Sequence, residues 1–263
     1  MTPLLLLTAC ALNLAEMRSA RVLGGGEVQL TQGNTAVLPT VAVRESIDAA
    51  RLVIDAAQSG EPLTDEEAHT LIAGATAVAL SAPGYGTYGD LALGFGYGWE
   101  GSVRMGSGVM GVGLRRRLYA GYPLYAAAGI RAQRSGGAAW IGALDTANDF
   151  VSIADLHRTD LSATLEGGLE LAEVLRLWGG LRGGLSPYRL SLDASALGLG
   201  SAETHGRVSM IGGFFGFGLG WRYVHVAAEL GVERAYGEAI LLEQPVDLGG
   251  WVVHPSWGLQ FTF

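Results

Sequence analysis

The sequence predicts an all-β protein: a transmembrane, antiparallel, up-and-down β-barrel of about ten strands, with eight or twelve as alternatives and a two-helix insertion at residues 45–80. Apolar and polar side chains alternate along residues 251–263 and along most of the chain from Tyr88 onward, which indicates strands. Hydrophobic residues make up 49% of the chain, yet no apolar run reaches the length of about 18 residues that a membrane-spanning helix needs. Glycine accounts for 41 of 263 residues, about twice its usual share.

The C-terminal strand shows the alternation most clearly. Its odd positions, such as Trp251, are apolar or aromatic, whereas its even positions, such as His254 and Ser256, are small or polar. A strand with two such faces, longer than the roughly 9–11 residues that cross a bilayer when tilted, fits a membrane barrel. Its end resembles the closing strand of bacterial outer-membrane barrels, which implies that Phe261 and Phe263 form a signal for the barrel assembly machinery. For this segment alone, an edge strand of a soluble sandwich is the alternative.

The N-terminal stretch contains the single cysteine, Cys10, so an internal disulfide framework is excluded. The motif Leu-Thr-Ala-Cys ending at Cys10 resembles a bacterial lipobox. The resemblance implies a signal peptide at residues 1–10 and lipidation of Cys10, and Ala11 in place of Asp implies sorting to the outer membrane. The apolar run Leu4–Leu7 is shorter than the roughly 7–15 residues of an ordinary signal peptide, and no Lys or Arg precedes it.

After this stretch, residues 11–25 are predicted to form a periplasmic tether, and residues 26–263 the barrel. The barrel pattern has one interruption. Residues 46–58 are rich in alanine, lack alternation and show helical spacing. Thr64-Asp-Glu-Glu67 is a capping box that predicts a second helix over residues 65–80. The helical pair is interpreted as a cap over the barrel, with a plug in its mouth as the alternative.

Alternation divides the barrel region into ten predicted strands. These lie at residues 26–33, 88–99, 102–105, 112–118, 124–133, 161–171, 175–185, 211–221, 224–233 and 251–263. Tight turns are expected near 99–101, 120–121, 172–174 and 221–222, and long loops near 134–160, 189–206 and 236–249. Short periplasmic turns and long extracellular loops are typical of outer-membrane barrels. Both chain ends are therefore expected on the periplasmic side.

Four features together resemble a family of outer-membrane barrel lipoproteins of unknown function that is common in myxobacteria. These features are the lipobox, a first strand beginning Gly26-Glu-Val28, the helical pair, and the turn Tyr97-Gly-Trp-Glu100. The resemblance covers the whole chain and implies a fold and a location, the bacterial outer membrane. It implies no catalytic residues and no ligand.

Charged side chains on the polar strand faces are predicted to form a network inside the barrel. They are the cations Arg104, Arg115, Arg117, Arg131, Arg176 and Arg182, and the anions Glu27, Asp90, Glu166, Glu170, Glu229 and Glu233. Side chains largely fill a barrel of this size, and an unpaired charge there would be costly. We therefore expect Arg–carboxylate pairs in a structural network, with a solute path as the alternative.

Two chemical alternatives depend on histidines of the polar face. His254 and Ser256 could serve a lipid hydrolase, although a Ser–His pair needs a third group to orient the base. His225, His254 and Glu229 could approach one another around a metal. We expect neither: no enzyme, no metal and no cofactor. The net charge of −8 argues against nucleic acid.

The predicted function is therefore that of a monomeric, lipid-anchored outer-membrane barrel with a structural or passive porin-like role. Its expected partners are outer-membrane lipid and the barrel assembly machinery. A soluble β-barrel that acts as a binding module is the remaining alternative.

Overall fold

The barrel is closed by ten antiparallel strands, as the sequence predicts. The computed structural model describes residues 15–40, 43–44, 47–48, 51–52, 64–80, 84–106, 108–136, 152–193, 200–241 and 244–263. The strands of the barrel are β1 (Val28–Pro39), β2 (Gly84–Gly96), β3 (Trp99–Gly106), β4 (Val109–Gly121), β5 (Leu124–Gly136), β6 (Ser152–Leu171), β7 (Leu175–Asp193), β8 (Ser201–Trp221), β9 (Val224–Leu241) and β11 (Gly250–Thr262). The short strand β10 (Gln244–Asp247) pairs with β9 outside the ring.

The ring closes where the first strand meets the last. Strand β1 pairs with β2 on one side and with β11 on the other, so no strand of the ring has a free edge. At the end of this seam, the Val28 amide donates to the Phe263 carbonyl (2.9 Å) and the Phe263 amide donates to the Val28 carbonyl (2.8 Å). An even number of strands brings both ends of the barrel to the same side.

The outer face of the barrel is an apolar belt. Every strand of the ring contributes an exposed apolar side chain: Leu30, Leu91, Val103, Val112, Ile130, Leu165, Leu181, Phe215, Val226 and Leu259. Exposed aromatic residues lie at the belt's two rims, among them Tyr97 and Tyr223 at one end and Tyr236 and Trp251 at the other. A continuous apolar belt between aromatic girdles is a surface for lipid rather than water. The protein is thus an integral barrel of the bacterial outer membrane, and the soluble alternative is wrong.

The turns orient the barrel in the membrane. The tight connections at residues 97–98, 122–123, 172–174 and 222–223 lie at the end that holds Val28 and Phe263. The strand ends that the longer connections join lie at the opposite end, where Gly106 of β3 also pairs with Val109 of β4. Since short turns face the periplasm in such barrels, Val28 and Phe263, where the barrel begins and ends, lie on the periplasmic side.

Two turns lie two residues away from their predicted positions. The first hairpin turns at Tyr97 and Gly98, not at 99–101, because both residues adopt positive φ (51° and 77°), as a two-residue hairpin loop requires. The second turns at 122–123 instead of 120–121. The earlier first turn moves Glu100 from a predicted turn onto strand β3, with its side chain inside the barrel.

Four strands extend further above the membrane than predicted. Strands β6 to β9 take up much of the segments 134–160, 189–206 and 236–249, which are predicted as loops. Outside the bilayer the outward face carries exposed polar residues such as His157 and Arg189. Polar side chains thus interrupt the apolar outer face there, and the sequence pattern underestimates the strand length.

The predicted second helix is confirmed as α1 (Asp65–Leu80). Residues 47–48 and 51–52 of the predicted first helix are helical, and the rest of that helix lies outside the described residues. Helix α1 contacts β10, and its Leu80 carbonyl accepts a hydrogen bond from Arg158, which is buried at the extracellular end of the barrel. A cation also suits the negative end of a helix. The C-terminal end of helix α1 therefore lies at the extracellular mouth of the barrel. Within the described residues, no helix has the length and apolarity to cross a membrane.

The capping box at the start of α1 is formed as predicted and gives a pH-dependent contribution. The backbone N–H (2.7 Å) and the hydroxyl (2.8 Å) of Thr64 both donate to the Glu67 carboxylate, and they lower the Glu67 pKa from its ordinary 4.5. A lowered folded-state pKa stabilises the helix fully above pH 4.5, and this contribution is lost as the pH falls through the folded-state pKa.

We expect the amide of Ala68, which donates to the Thr64 carbonyl, to lose hydrogen-exchange protection on acidification below about pH 4. The measurement is NMR-detected exchange in detergent micelles. In Glu67→Gln the protection should not depend on pH in this range. Equal acid sensitivity of the two proteins would contradict the assignment to Glu67.

Candidate functional site

The barrel lumen is occupied by part of the chain itself. Residues 15–23, which we call the lumen segment, precede β1 and extend inward from the periplasmic mouth, where the Gly26 amide donates to the Gly94 carbonyl (2.9 Å). Ala15 and Met17 are 0% exposed and Arg18 is 1% exposed. The predicted periplasmic tether at 11–25 is therefore wrong for these residues. The apolar and charged side chains of the segment contact wall residues inside the barrel. A tether in the periplasm would have no such contacts.

Wall side chains satisfy the main chain of the lumen segment. Three of them donate to its carbonyl oxygens: Arg104 to Ala15 (2.6 Å), Gln260 to Met17 (2.5 Å) and Arg115 to Ser19 (2.8 Å). Two carboxylates accept from its amides: Glu229 from Glu16 (2.9 Å) and Met17 (2.7 Å), and Glu100 from Leu23 (3.0 Å). Buried main-chain groups need such partners. Here charged and polar side chains supply the hydrogen bonds that a neighbouring strand would supply in a sheet.

Arg18 of the segment contacts two carboxylates of the wall. Its guanidinium lies between two carboxylates, donating to Glu100 (2.8 Å) and to Asp90. The planar fork of arginine suits this position, since it offers donors in two directions. Arg131 pairs with Glu16 of the segment at 2.9 Å. The segment is therefore bound through charges of both signs.

The predicted lumen charges largely pair with each other. The wall pairs are Arg104–Asp90 (2.9 Å), Arg115–Glu166 (2.8 Å), Arg182–Glu233 (2.8 Å) and Arg176–Glu170 (3.3 Å). Glu229 lies 3.7 Å from Arg182 and also accepts a hydrogen bond from the Trp178 indole (3.0 Å). Charge-assisted pairs of this kind are stronger than neutral hydrogen bonds, so the wall is held rigidly around the segment.

Two predicted lumen residues lie elsewhere. The β3–β4 ladder ends at Arg116, and the β4–β5 pairing shifts register between Arg117 and Tyr119. Arg117 therefore lies exposed at the periplasmic rim. Glu27 lies at the periplasmic mouth, where it accepts hydrogen bonds from Arg21 (3.0 Å) and from the Gly24 amide (2.7 Å). Both are surface-accessible, and neither belongs to the buried charge network of the interior.

Sequence reasoning missed five charged residues of the interior. They are Glu16, Arg18, Glu100, Arg158 and Asp160. Glu100 lies in phase with Ser102 and Arg104, and Asp160 lies in phase with Glu166, so the alternation contained a signal for both. Glu16 and Arg18 belong to no strand and have no period that could reveal them.

The inner end of the lumen segment borders a small cavity. Its volume is about 20 Å³, and its lining includes Glu16, Arg131, Asp160, Arg182 and Glu233. A single water needs roughly 10–15 Å³ of such space. The cavity is therefore large enough for a water molecule but for no larger solute while the segment is in place.

His254 and Ser256 lie two residues apart on the inner face of β11, but no hydrogen bond joins them within the described residues. Ser256 donates its hydroxyl hydrogen bond to Thr35 (2.8 Å), whereas His254 bonds Glu233 (3.2 Å). His225 pairs in register with Gln260, six positions along β11 from His254, which places the two histidines roughly 20 Å apart at the usual strand rise. The described residues contain no group of three metal-ligating side chains.

Comparison with known proteins gives structural likenesses only. No protein-family model and no curated protein matches the sequence. The outer-membrane protein OprG of Pseudomonas aeruginosa is 11% identical, over 91% of this chain and 97% of its own, with a TM-score of 0.41. The outer-membrane protease OmpT of Escherichia coli is 9% identical, over 90% and 96% of the two chains, with a TM-score of 0.40. Neisserial surface protein A is 10% identical, over 91% and 98%, with a TM-score of 0.34. These neighbours are outer-membrane β-barrels, and at such TM-scores they carry no argument about function.

Proposed function

We propose that the protein is a porin-like outer-membrane barrel whose lumen segment closes the pore at rest. The observation that carries this proposal is the position of residues 15–23, which are buried in the lumen and border a cavity of about 20 Å³ at their inner end. Conduction then requires that the segment withdraws and that helix α1, which Arg158 holds at the extracellular mouth, leaves the path open. The charge-paired wall stays in place and lines the open path.

The segment is held in a way that allows withdrawal. The strand ring closes through β1 and β11 without it, so removing the segment breaks no ladder hydrogen bond of the ring. Three consecutive glycines, Gly24 to Gly26, join it to β1, and Gly26 adopts φ +85°. Glycine tolerates this backbone region and many others. The joint can therefore change conformation while the barrel remains intact.

Arg18→Ala is expected to open the pore. The substitution removes the guanidinium that both Asp90 and Glu100 contact, so the bound state loses buried ion pairs while the withdrawn state loses nothing. In planar lipid bilayers, the fraction of time that the full-length variant spends in the open state should be roughly ten times that of the wild type or more.

Ser256→Ala is the matched control for this experiment. Its hydroxyl bonds Thr35 on the barrel wall and does not touch the segment, so the conductance should stay at the wild-type level. A heat-dependent shift in gel mobility shows that each variant is folded. An Arg18→Ala protein that is folded and silent would contradict conduction and favour a purely structural role. The proposal assigns no catalytic step, and a loss of any hydrolytic activity in Ser256→Ala would contradict this.

The protein is also proposed to be a monomer that is anchored by a lipid at Cys10. The support is the lipobox-like sequence ending at this residue, which lies outside the described residues. Cells that express the full-length chain and are fed an alkyne fatty acid should yield labelled protein. Cys10→Ser should abolish the label without loss of the heat-modifiable barrel. Equal labelling of both proteins would contradict lipidation at Cys10.

A further inference from the structure

The lumen wall contacts the lumen segment as a receptor contacts a peptide. The segment is buried and pairs with no strand. Its main chain is bound by the side chains of Glu229, Glu100, Arg104, Arg115 and Gln260. Hydrogen bonds to main-chain groups do not depend on the sequence of the bound peptide. The wall can therefore accept other extended peptides in the same place.

One position of the bound peptide is recognised through its side chain. Arg18 occupies a clamp formed by Asp90 and Glu100, and each of these carboxylates is also held by a wall arginine: Asp90 by Arg104 (2.9 Å) and Glu100 by Arg115 (3.1 Å). These arginines fix the clamp before any ligand arrives. A preformed clamp with two acceptors suits the flat fork of arginine better than the compact ammonium of lysine.

The flanking positions are selected by size. Met17 and Ala20 pack in a buried cluster that includes Trp178 and Phe214 of the wall. An unbranched apolar side chain before the arginine and a small one two residues after it therefore fit the lumen. Bulkier side chains at these positions would have to displace aromatic rings in a packed interior.

We propose that the lumen is a binding site for extended, arginine-containing peptides, and that residues 15–23 are its built-in occupant. An external peptide with an arginine in the clamp binds when the segment withdraws. The inference rests on the proposed function insofar as the segment must leave the lumen. It adds a ligand class that conduction alone does not require.

The test uses the full-length chain with Arg18→Met, which keeps the apolar stem and weakens the hold of the internal segment. A fluorescent synthetic peptide with the sequence of residues 15–23 is titrated into this protein, and binding is followed by fluorescence anisotropy. The same peptide with lysine in place of arginine should bind about tenfold more weakly, and one with alanine should bind more weakly still. Asp90→Asn and Glu100→Gln, each added to Arg18→Met, should weaken binding of the arginine peptide by at least about tenfold.

Glu238→Gln, on the exposed face of β9, is the control and should leave binding unchanged. The inference is overturned if the heat-modifiable Arg18→Met protein binds no peptide, or binds the arginine and alanine peptides equally. In either case, a conducting Arg18→Ala channel would leave the proposed function standing. A silent Arg18→Ala channel together with arginine-dependent binding would support the peptide site and overturn conduction.

Discussion

Gly258→Ala is expected to break the closing seam of the barrel. Gly258 of β11 lies opposite Gly33 of β1. A Cβ atom at Gly258 would lie 2.7 Å from the Gly33 Cα and closer still to the Gln32 carbonyl oxygen. Both are backbone atoms of the neighbouring strand, so no side-chain rotation relieves the contact. The strands must separate, and overpacking of this kind costs about 1–3 kcal/mol or more.

The effect should be global, because this seam is the place where the two ends of the chain close the ring. We expect most of the Gly258→Ala protein to lose its heat-modifiable band in outer-membrane fractions. Gly89→Ala on β2 is the matched control, since the nearest atom to its added Cβ would be the Met105 carbonyl oxygen at 3.9 Å. A heat-modifiable Gly258→Ala band of wild-type intensity would show that the seam adapts to the added methyl group.

The barrel itself was predictable because its strands obey one rule. Residues that face lipid must be apolar and residues that face the lumen need not be, so the alternation of β11 at Trp251 to Thr262 reports both the strand and its orientation. The rule applies only inside the bilayer. Above it, strands such as β7 continue to Asp193 with exposed polar residues on the outer face, and the pattern gives no sign of their length.

The occupied lumen was not predictable in the same way. The alternation of apolar and polar side chains predicted that four arginines face the lumen, and the structure places them there: Arg104, Arg115, Arg131 and Arg182. The groups that these arginines contact depend on which distant parts of the chain the closed barrel brings together. Arg131 reaches Glu16 and Arg104 reaches the Ala15 carbonyl, both on a segment that has no strand period. A short, mixed sequence before the first strand resembles a tether until the closed barrel offers it charged partners.

Glu229→Ala is expected to release the lumen segment. The buried Glu229 carboxylate accepts hydrogen bonds from the Glu16 amide (2.9 Å), the Met17 amide (2.7 Å) and the Trp178 indole (3.0 Å). Without it, these donors stay buried and unpaired, at a cost of about 1–3 kcal/mol each. Withdrawal restores water to the two amides, so the equilibrium moves toward the open lumen by roughly thirtyfold or more.

Trypsin can measure this shift, because it cleaves after arginine and Arg18 is 1% exposed in the closed barrel. The Glu229→Ala protein should release a fragment beginning at Ser19 much faster than the wild type, and Glu229→Gln, which keeps one acceptor oxygen, should be intermediate. Glu238→Ala, an exposed position on the same strand, should match the wild type. If cleavage after Arg18 is equally slow in all four proteins, Glu229 does not hold the segment. Graded cleavage would instead show that the Glu229 carboxylate holds the segment in the lumen.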